Sequence, residues 1–220
     1  MPLPGEISPS RLAYEPRSIA TQFFGSFDEF AGNPTFYDQV AQLFTETYNS
    51  PPWDESWEEE SVASYFQKLT VLPSEITTVR EGEELIGLFI GCIGTPEEVV
   101  PLSVDAYFPD HEASVAEEMK QRLYSGLEEY RVNNEPVFWG CDFAVPHNKR
   151  GATVAGKMLR QAITSPIKKG VHTMYGMTLV GSPFHTITER RGSKTILEVS
   201  DVLPGDHRIF KVMDMRGLQQ

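Results

Sequence analysis

Asn148, Lys149 and Arg150 stand directly before Gly151, Ala152 and Thr153, where an apolar strand pattern gives way to a helical one. Two cations beside a small-residue turn at a helix start offer chemistry for an anion. The first N–H groups of a helix lack intrahelical partners, the macrodipole is positive at that end, and lysine and arginine add full charges. Nothing in Gly151 to Thr153 blocks a ligand from the backbone. A phosphate suits such a turn. Strand–turn–helix units with a glycine are nevertheless common, and most of them serve packing alone.

The elements that position this turn lie on either side of it. Val137-Phe138-Trp139, followed by Phe143 and Val145 alternating on one face, is a buried-strand signal. Pro146 has no N–H for a ladder and ends the strand. Beyond the turn, Val154, Met158 and Ala162 recur at helical spacing, and Ser165-Pro166 is expected to stop that helix.

The whole chain bounds what this turn can serve. Its 220 residues suffice for one large domain with a sizeable core, and 40% apolar with 23% charged residues is ordinary for a globular chain. No window approaches the length of a membrane span, and the N-terminus lacks a basic-then-apolar leader pattern, which points to the cytoplasm. Cys92 and Cys141 sit in apolar strand-like runs without metal-site spacing, so they read as buried thiols and no metal is expected. A net charge of −12, from 19 basic and 31 acidic residues, argues against nucleic acid and suits a cationic partner such as an amine. It equally suits solubility alone.

Read in order, residues 1–33 form an extension: a proline-rich lead-in through Arg17, then a possible strand over Ser18 to Phe24. Residues 34–220 form the main domain. Phe36, Val40, Leu43 and Phe44 predict a helix over Pro34 to Tyr48. Ser56 and Glu59 form a capping-box pair opening a second helix with Val62, Phe66 and Leu69 on one face, and Pro73 stops it. The loop between them carries Trp53 and Trp57, which fit core packing and cleft lining equally. A hairpin follows, Ile76 to Arg80 and Leu85 to Ile93, the latter apolar on both faces and hence central. Thr95 to Pro136 is a long excursion with one helix, Ala113 to Tyr130, broken by Asn133-Asn134. His172 to Leu179 is a strand. Ser182-Pro183 starts a short helix that runs to Arg191 before Gly192, and strands Thr195 to Val199 and Arg208 to Met215 close the chain. The result is an α/β (α+β) layer architecture: a mixed, mostly antiparallel sheet of six to seven strands flanked by helices.

That order, with the turn at its centre, resembles the GNAT superfamily of acyl-CoA-dependent N-acyltransferases over roughly residues 34 to 215. Tyr48-Asn49-Ser50-Pro51-Pro52-Trp53-Asp54-Glu55-Ser56-Trp57 looks like the loop between the first two helices of such proteins, and Leu85 to Gly91 like their third strand. Their signature Q/R-x-x-G-x-G/A falls on Asn148 to Thr153, with Asn148 in the first position and Thr153 in the second small one.

The resemblance implies splayed central strands, with acetyl-CoA or another acyl-CoA as co-substrate lying in the gap. Its pantetheine arm would pair with Phe143, Ala144 and Val145. Its diphosphate would rest on the turn from Asn148, Lys149 and Arg150 through Gly151, Ala152 and Thr153 to Val154 and Ala155. An N–H near Phe143 would face the thioester carbonyl. Asp142 is implied as the general base. The usual acid position, four residues before Gly192, falls on Thr188, with Tyr175 and His185 as substitutes. Glu55, Asp54 and Asp105 are weaker candidates for binding a cationic amine, small-molecule or peptide, with Trp53 beside them in the loop, and a monomer or homodimer is expected. A catalytically silent domain of the same fold, binding acyl-CoA or a protein partner, is the alternative.

Overall fold

An apolar run buried on both faces needs a strand on either side, and the sheet is built around two such runs. The computed structural model describes residues 19–24, 32, 34–51, 53, 55–69, 71–130, 135–146, 152–203 and 207–218. Its elements are β1 (Ile19–Phe24), α1 (Pro34–Tyr48), α2 (Glu59–Leu69), β2 (Ser74–Glu81), β3 (Glu84–Gly94), α3 (Pro96–Tyr107) and α4 (Ala113–Glu128). Then follow β4 (Val137–Ala144), α5 (Ala152–Lys168), β5 (Thr173–Leu179), α6 (Pro183–Arg190), β6 (Lys194–Glu198) and β7 (Arg208–Asp214). The proline-rich lead-in, Asp54, Asn133-Asn134 and the stretch Asn148 to Gly151 lie outside the described residues.

The strands form one sheet in the order β1-β2-β3-β4-β5-β7-β6. Every neighbouring pair is antiparallel except β4 and β5. Helices α1 to α4 cover one face, where Trp139, Tyr175 and Phe210 are buried. Helices α5 and α6 cover the other, over Phe138, Met174 and Met213. Helices on both faces explain why β3 and β4 are apolar throughout. The strand foreseen at Ser18 to Phe24 is β1, an edge of this same sheet.

Three local expectations are corrected. The excursion holds two helices. Thr95 N–H donates to Glu98 Oε2 at 2.8 Å and Pro96 opens α3, a cap signal present in the sequence. Helix α2 begins at Glu59, not at Ser56, because Asn49 clamps the preceding loop: its Oδ1 accepts from Trp57 N at 2.7 Å and its Nδ2 donates to Trp57 O at 2.8 Å. Helix α5 runs past Ser165-Pro166 to Lys168. A proline in the last turn removes only one intrahelical bond, and this end is tethered to β2: Ser165 Oγ and Lys169 Nζ both donate to buried Glu75 Oε1 at 2.7 Å.

Candidate active site

The parallel pair β4–β5 begins in register, Val137 opposite Thr173, and ends after Gly140 opposite Gly176. Beyond that rung the two strands part. Asp142, Phe143 and Ala144 pair only with β3, while Met177 to Leu179 pair only with β7. The two glycines allow the close approach from which the strands diverge. A Cβ on Gly176 would sit 2.6 Å from Gly140 O.

A bulge lies at the same place. Ile90 pairs with Asp142 and Gly91 with Gly140, so Cys141 is an extra residue in β4. Side chains in a strand alternate faces, and an extra residue reverses the alternation. Before the bulge, Val137 and Trp139 face α1 to α4 and Phe138 faces α5. After it, Phe143 and Val145 face α5, and Asp142 turns toward α1 and α2. The bulge carbonyl is satisfied: Tyr107 Oη donates to Cys141 O at 2.6 Å and accepts from Trp139 Nε1 at 3.1 Å. The two cysteines are free and buried, their Sγ atoms 3.5 Å apart.

Asp142 is 7% exposed and accepts two hydroxyls. Tyr48 Oη donates to Oδ1 at 3.1 Å and Tyr65 Oη to Oδ2 at 2.8 Å. Burial pushes the carboxyl up to about 7, against the two tyrosine bonds, which lower it, and with the nearby charge of Glu55, which raises it. Burial likewise holds both tyrosines well above their ordinary value, helped by the Asp142 charge. Tyr48 has a second contact: Phe143 N donates to its hydroxyl at 3.3 Å. One hydroxyl therefore joins the carboxylate to the strand edge exposed where β4 leaves β5.

These residues border a cavity of about 640 Å³. Asp142 and Phe143 form part of its wall from the sheet, and Trp53, Glu55 and Trp57 from the loop after α1. Glu55 ties the loop to β7: Arg208 Nη2 donates to Oε1 at 2.8 Å, Trp57 Nε1 donates to Oε2, and the Arg208 guanidinium stands 6.0 Å from the centre of the Trp53 ring. Across the parted strands, Phe143 stacks on Phe184 of α6 at 4.5 Å.

The structure thus brings Asp142, Phe143, Trp53 and Glu55 to one space. Val154 and Ala155 are buried in the first turns of α5, while the side chains of Ala152 and Thr153 lie outside the described set, as do Asn148, Lys149, Arg150, Gly151 and Asp54. Ala144 and Val145 are buried at the end of β4. Thr188 and Tyr175 are not among the cavity's lining residues. The Thr188 hydroxyl donates to Phe184 O and His185 O within its own helix, and Tyr175 Oη donates to Ser103 Oγ at 3.2 Å. His185 accepts from Gly181 N and pairs with Glu189, and Asp105 pairs with Lys120. The structure adds Tyr48, Tyr65, Tyr107 and Arg208 to the site. A usable signal was there: Tyr48 and Tyr65 sit among Phe44, Val62, Phe66 and Leu69 on apolar helix faces, where a buried hydroxyl must find a partner.

The seven-stranded, mostly antiparallel sheet flanked by helices is the GNAT fold, shared with solved N-acetyltransferases. Solved structures similar to the chain include a polyamine N-acetyltransferase of Drosophila melanogaster that forms N-acetylagmatine (TM-score 0.57, 11% identity, 90% of this chain and 100% of that one covered). A mosquito arylalkylamine N-acetyltransferase-like protein matches with TM-score 0.56 and 16% identity over 90% and 100% of the two chains. A chain of the NatC complex bound to Gag peptide and CoA matches with TM-score 0.54 and 11% identity over 89% and 98%. No protein-family model matches the sequence, and no curated protein matches it. Among the described residues no helix is long and apolar enough to cross a membrane.

Proposed function

We propose that the chain is an N-acyltransferase that moves an acetyl or longer acyl group from an acyl-CoA to a primary amine by direct attack. The observation that carries this reading is the parting of β4 from β5 after Gly140 and Gly176, with a carboxyl near neutrality bordering the cavity there. The fit to an acyl-CoA rests on that opening: the strand edge at Phe143 makes no β5 ladder, and its N–H donates to the Tyr48 hydroxyl across a long 3.3 Å. Phe143, Ala144 and Val145 would hold the pantetheine arm by main-chain groups, and the turn from Asn148 to Ala155 the diphosphate. An acyl-CoA supplies a carbonyl activated by its thioester.

The chain's own residues supply position and protons. Asp142, poised near pH 7, takes the proton that an attacking amine must lose. Tyr65 holds the carboxylate from α2. Tyr48 Oη lies between Asp142 and the Phe143 edge, so it carries a proton from the carboxyl toward the place where a departing thiolate needs one, and is replenished by Asp142. Tyr48 thereby takes the acid's role in preference to Thr188 or Tyr175, whose hydroxyls are engaged away from the cavity.

Thiol release from acetyl-CoA over a panel of amines tests the reading, with calorimetry of CoA binding beside it. Release with at least one amine, and loss of CoA affinity in Gly151→Trp, are expected. CoA binding without release on any amine would instead favour the silent domain. CoA affinity unchanged by Gly151→Trp would remove the diphosphate from that turn.

A further inference from the structure

Resting on the acyl-transfer reading above, we propose that the amine taken by this cavity is a small arylalkylamine-type acceptor, carrying one positive charge on an aromatic or apolar body. The volume of about 640 Å³ lies in the usual range of small-molecule sites, roughly 300–1,000 Å³. Nine of its 20 described lining residues are aromatic: Trp53 and Trp57 are only partly buried and line it from the loop, with Tyr48, Tyr65 and Tyr107 beside them. Such rings stack on an aromatic body, and their faces attract an ammonium more strongly once water is excluded.

The charges bordering the cavity select against a second cation. Glu55 is engaged by Arg208 on one oxygen and by Trp57 on the other. Asp142 accepts two tyrosine hydroxyls and, with its carboxyl near neutrality, is in place to receive one proton. Asp110 also lines the space, but it is exposed, where water and salt weaken an ion pair. Among the described residues, then, a polyamine's second ammonium finds no desolvated carboxylate without its own partner, and it meets the Arg208 guanidinium. The net charge of −12 draws a cation toward the protein, and the rings and the single relay decide which cation stays.

The test measures thiol release by the full-length protein with acetyl-CoA and, in turn, phenethylamine, tryptamine, spermidine, a lysine-containing peptide and phenylalanine. Calorimetric binding of phenethylamine is measured in parallel. The kcat/KM for phenethylamine is expected to exceed that for spermidine at least about tenfold, and Trp53→Ala to raise the phenethylamine KM about tenfold while leaving CoA affinity unchanged. Faster turnover of spermidine or the peptide overturns the acceptor class and leaves acyl transfer standing. Preference for phenylalanine overturns it too, by showing that Arg208 selects a carboxylate. Calorimetric binding of phenethylamine without thiol release upholds the ligand class and sinks the transfer reading instead. Neither binding nor release overturns the inference.

Discussion

Tyr65 Oη stands 2.8 Å from Asp142 Oδ2, although 77 positions separate the two residues in the chain. The bond exists because Cys141 is inserted in β4 and turns Asp142 toward α2. On an unbulged strand the carboxyl would share the face of Phe138, under α5, with neither tyrosine in reach.

If Asp142 accepts the nucleophile's proton, kcat/KM for the amine should rise with pH through about 7, where its carboxyl ionises. Asp142→Asn should abolish that limb and lower turnover by about 10²- to 10⁴-fold. A pH–rate profile with unaltered rates in the variant would remove Asp142 from the mechanism.

The two tyrosines should separate by readout. Each donates to the carboxylate and lowers its pKa, so Tyr48→Phe and Tyr65→Phe should both move the acidic limb to higher pH, by about one unit for a charge-assisted bond. Only Tyr48 touches the strand edge, so only Tyr48→Phe should also lower kcat at saturating pH. Equal kcat in both variants would deny Tyr48 its relay role.

Stability should carry the same signature with a fixed sign. Burial raises the Asp142 carboxyl from its ordinary 3.8 to about 7 in the folded chain, so between these values the folded state keeps a proton that the unfolded state has released. The contribution is complete below about pH 4 and is lost as pH rises through about 7. Urea denaturation should therefore show stability falling between about pH 4 and pH 7, by roughly 4 kcal/mol, and levelling above that, with a flatter curve for Asp142→Asn. Parallel curves would place the titration elsewhere.

The rung at Gly140 and Gly176 should tolerate no added carbon. With a Cβ at 2.6 Å from a carbonyl oxygen, Gly176→Ala must shift backbone, at a cost of about 1 to 3 kcal/mol read from the denaturation midpoint. It should also weaken CoA binding, since the opening between the strands starts there. Gly156, inside α5 with nothing within 4 Å of an added Cβ, is the contrast: Gly156→Ala should raise stability by about 0.5 to 1 kcal/mol and leave CoA binding unchanged.

Much of the frame was legible before any coordinates. The doubly apolar run from Leu85 to Ile93 had to be central, and β3 is paired on both sides. Ser182 caps α6 by accepting from His185 N, and Gly192 adopts a φ of 79° just past its end. The helix expected over Ala113 to Tyr130 is α4, and Met119, Leu123 and Leu127, four apart on one face, are buried in it. Thr95, Pro96 and Glu98 spell the start of α3, while Pro101 within it interrupts the helical pattern.

Residue types and spacing determined by themselves where strands and helices form, which runs are central, and that Cys92 and Cys141 are buried. These properties depend on neighbours a few positions away, through side-chain period and local hydrogen bonding. Tertiary structure alone decided that β4 slips by one residue at Cys141, that it leaves β5 after Gly140, and that Tyr48 and Tyr65 close on Asp142. A register shift is defined against a partner strand, and a buried carboxyl takes its proton affinity from groups packed around it. Neither is written in the spacing of a single stretch of chain.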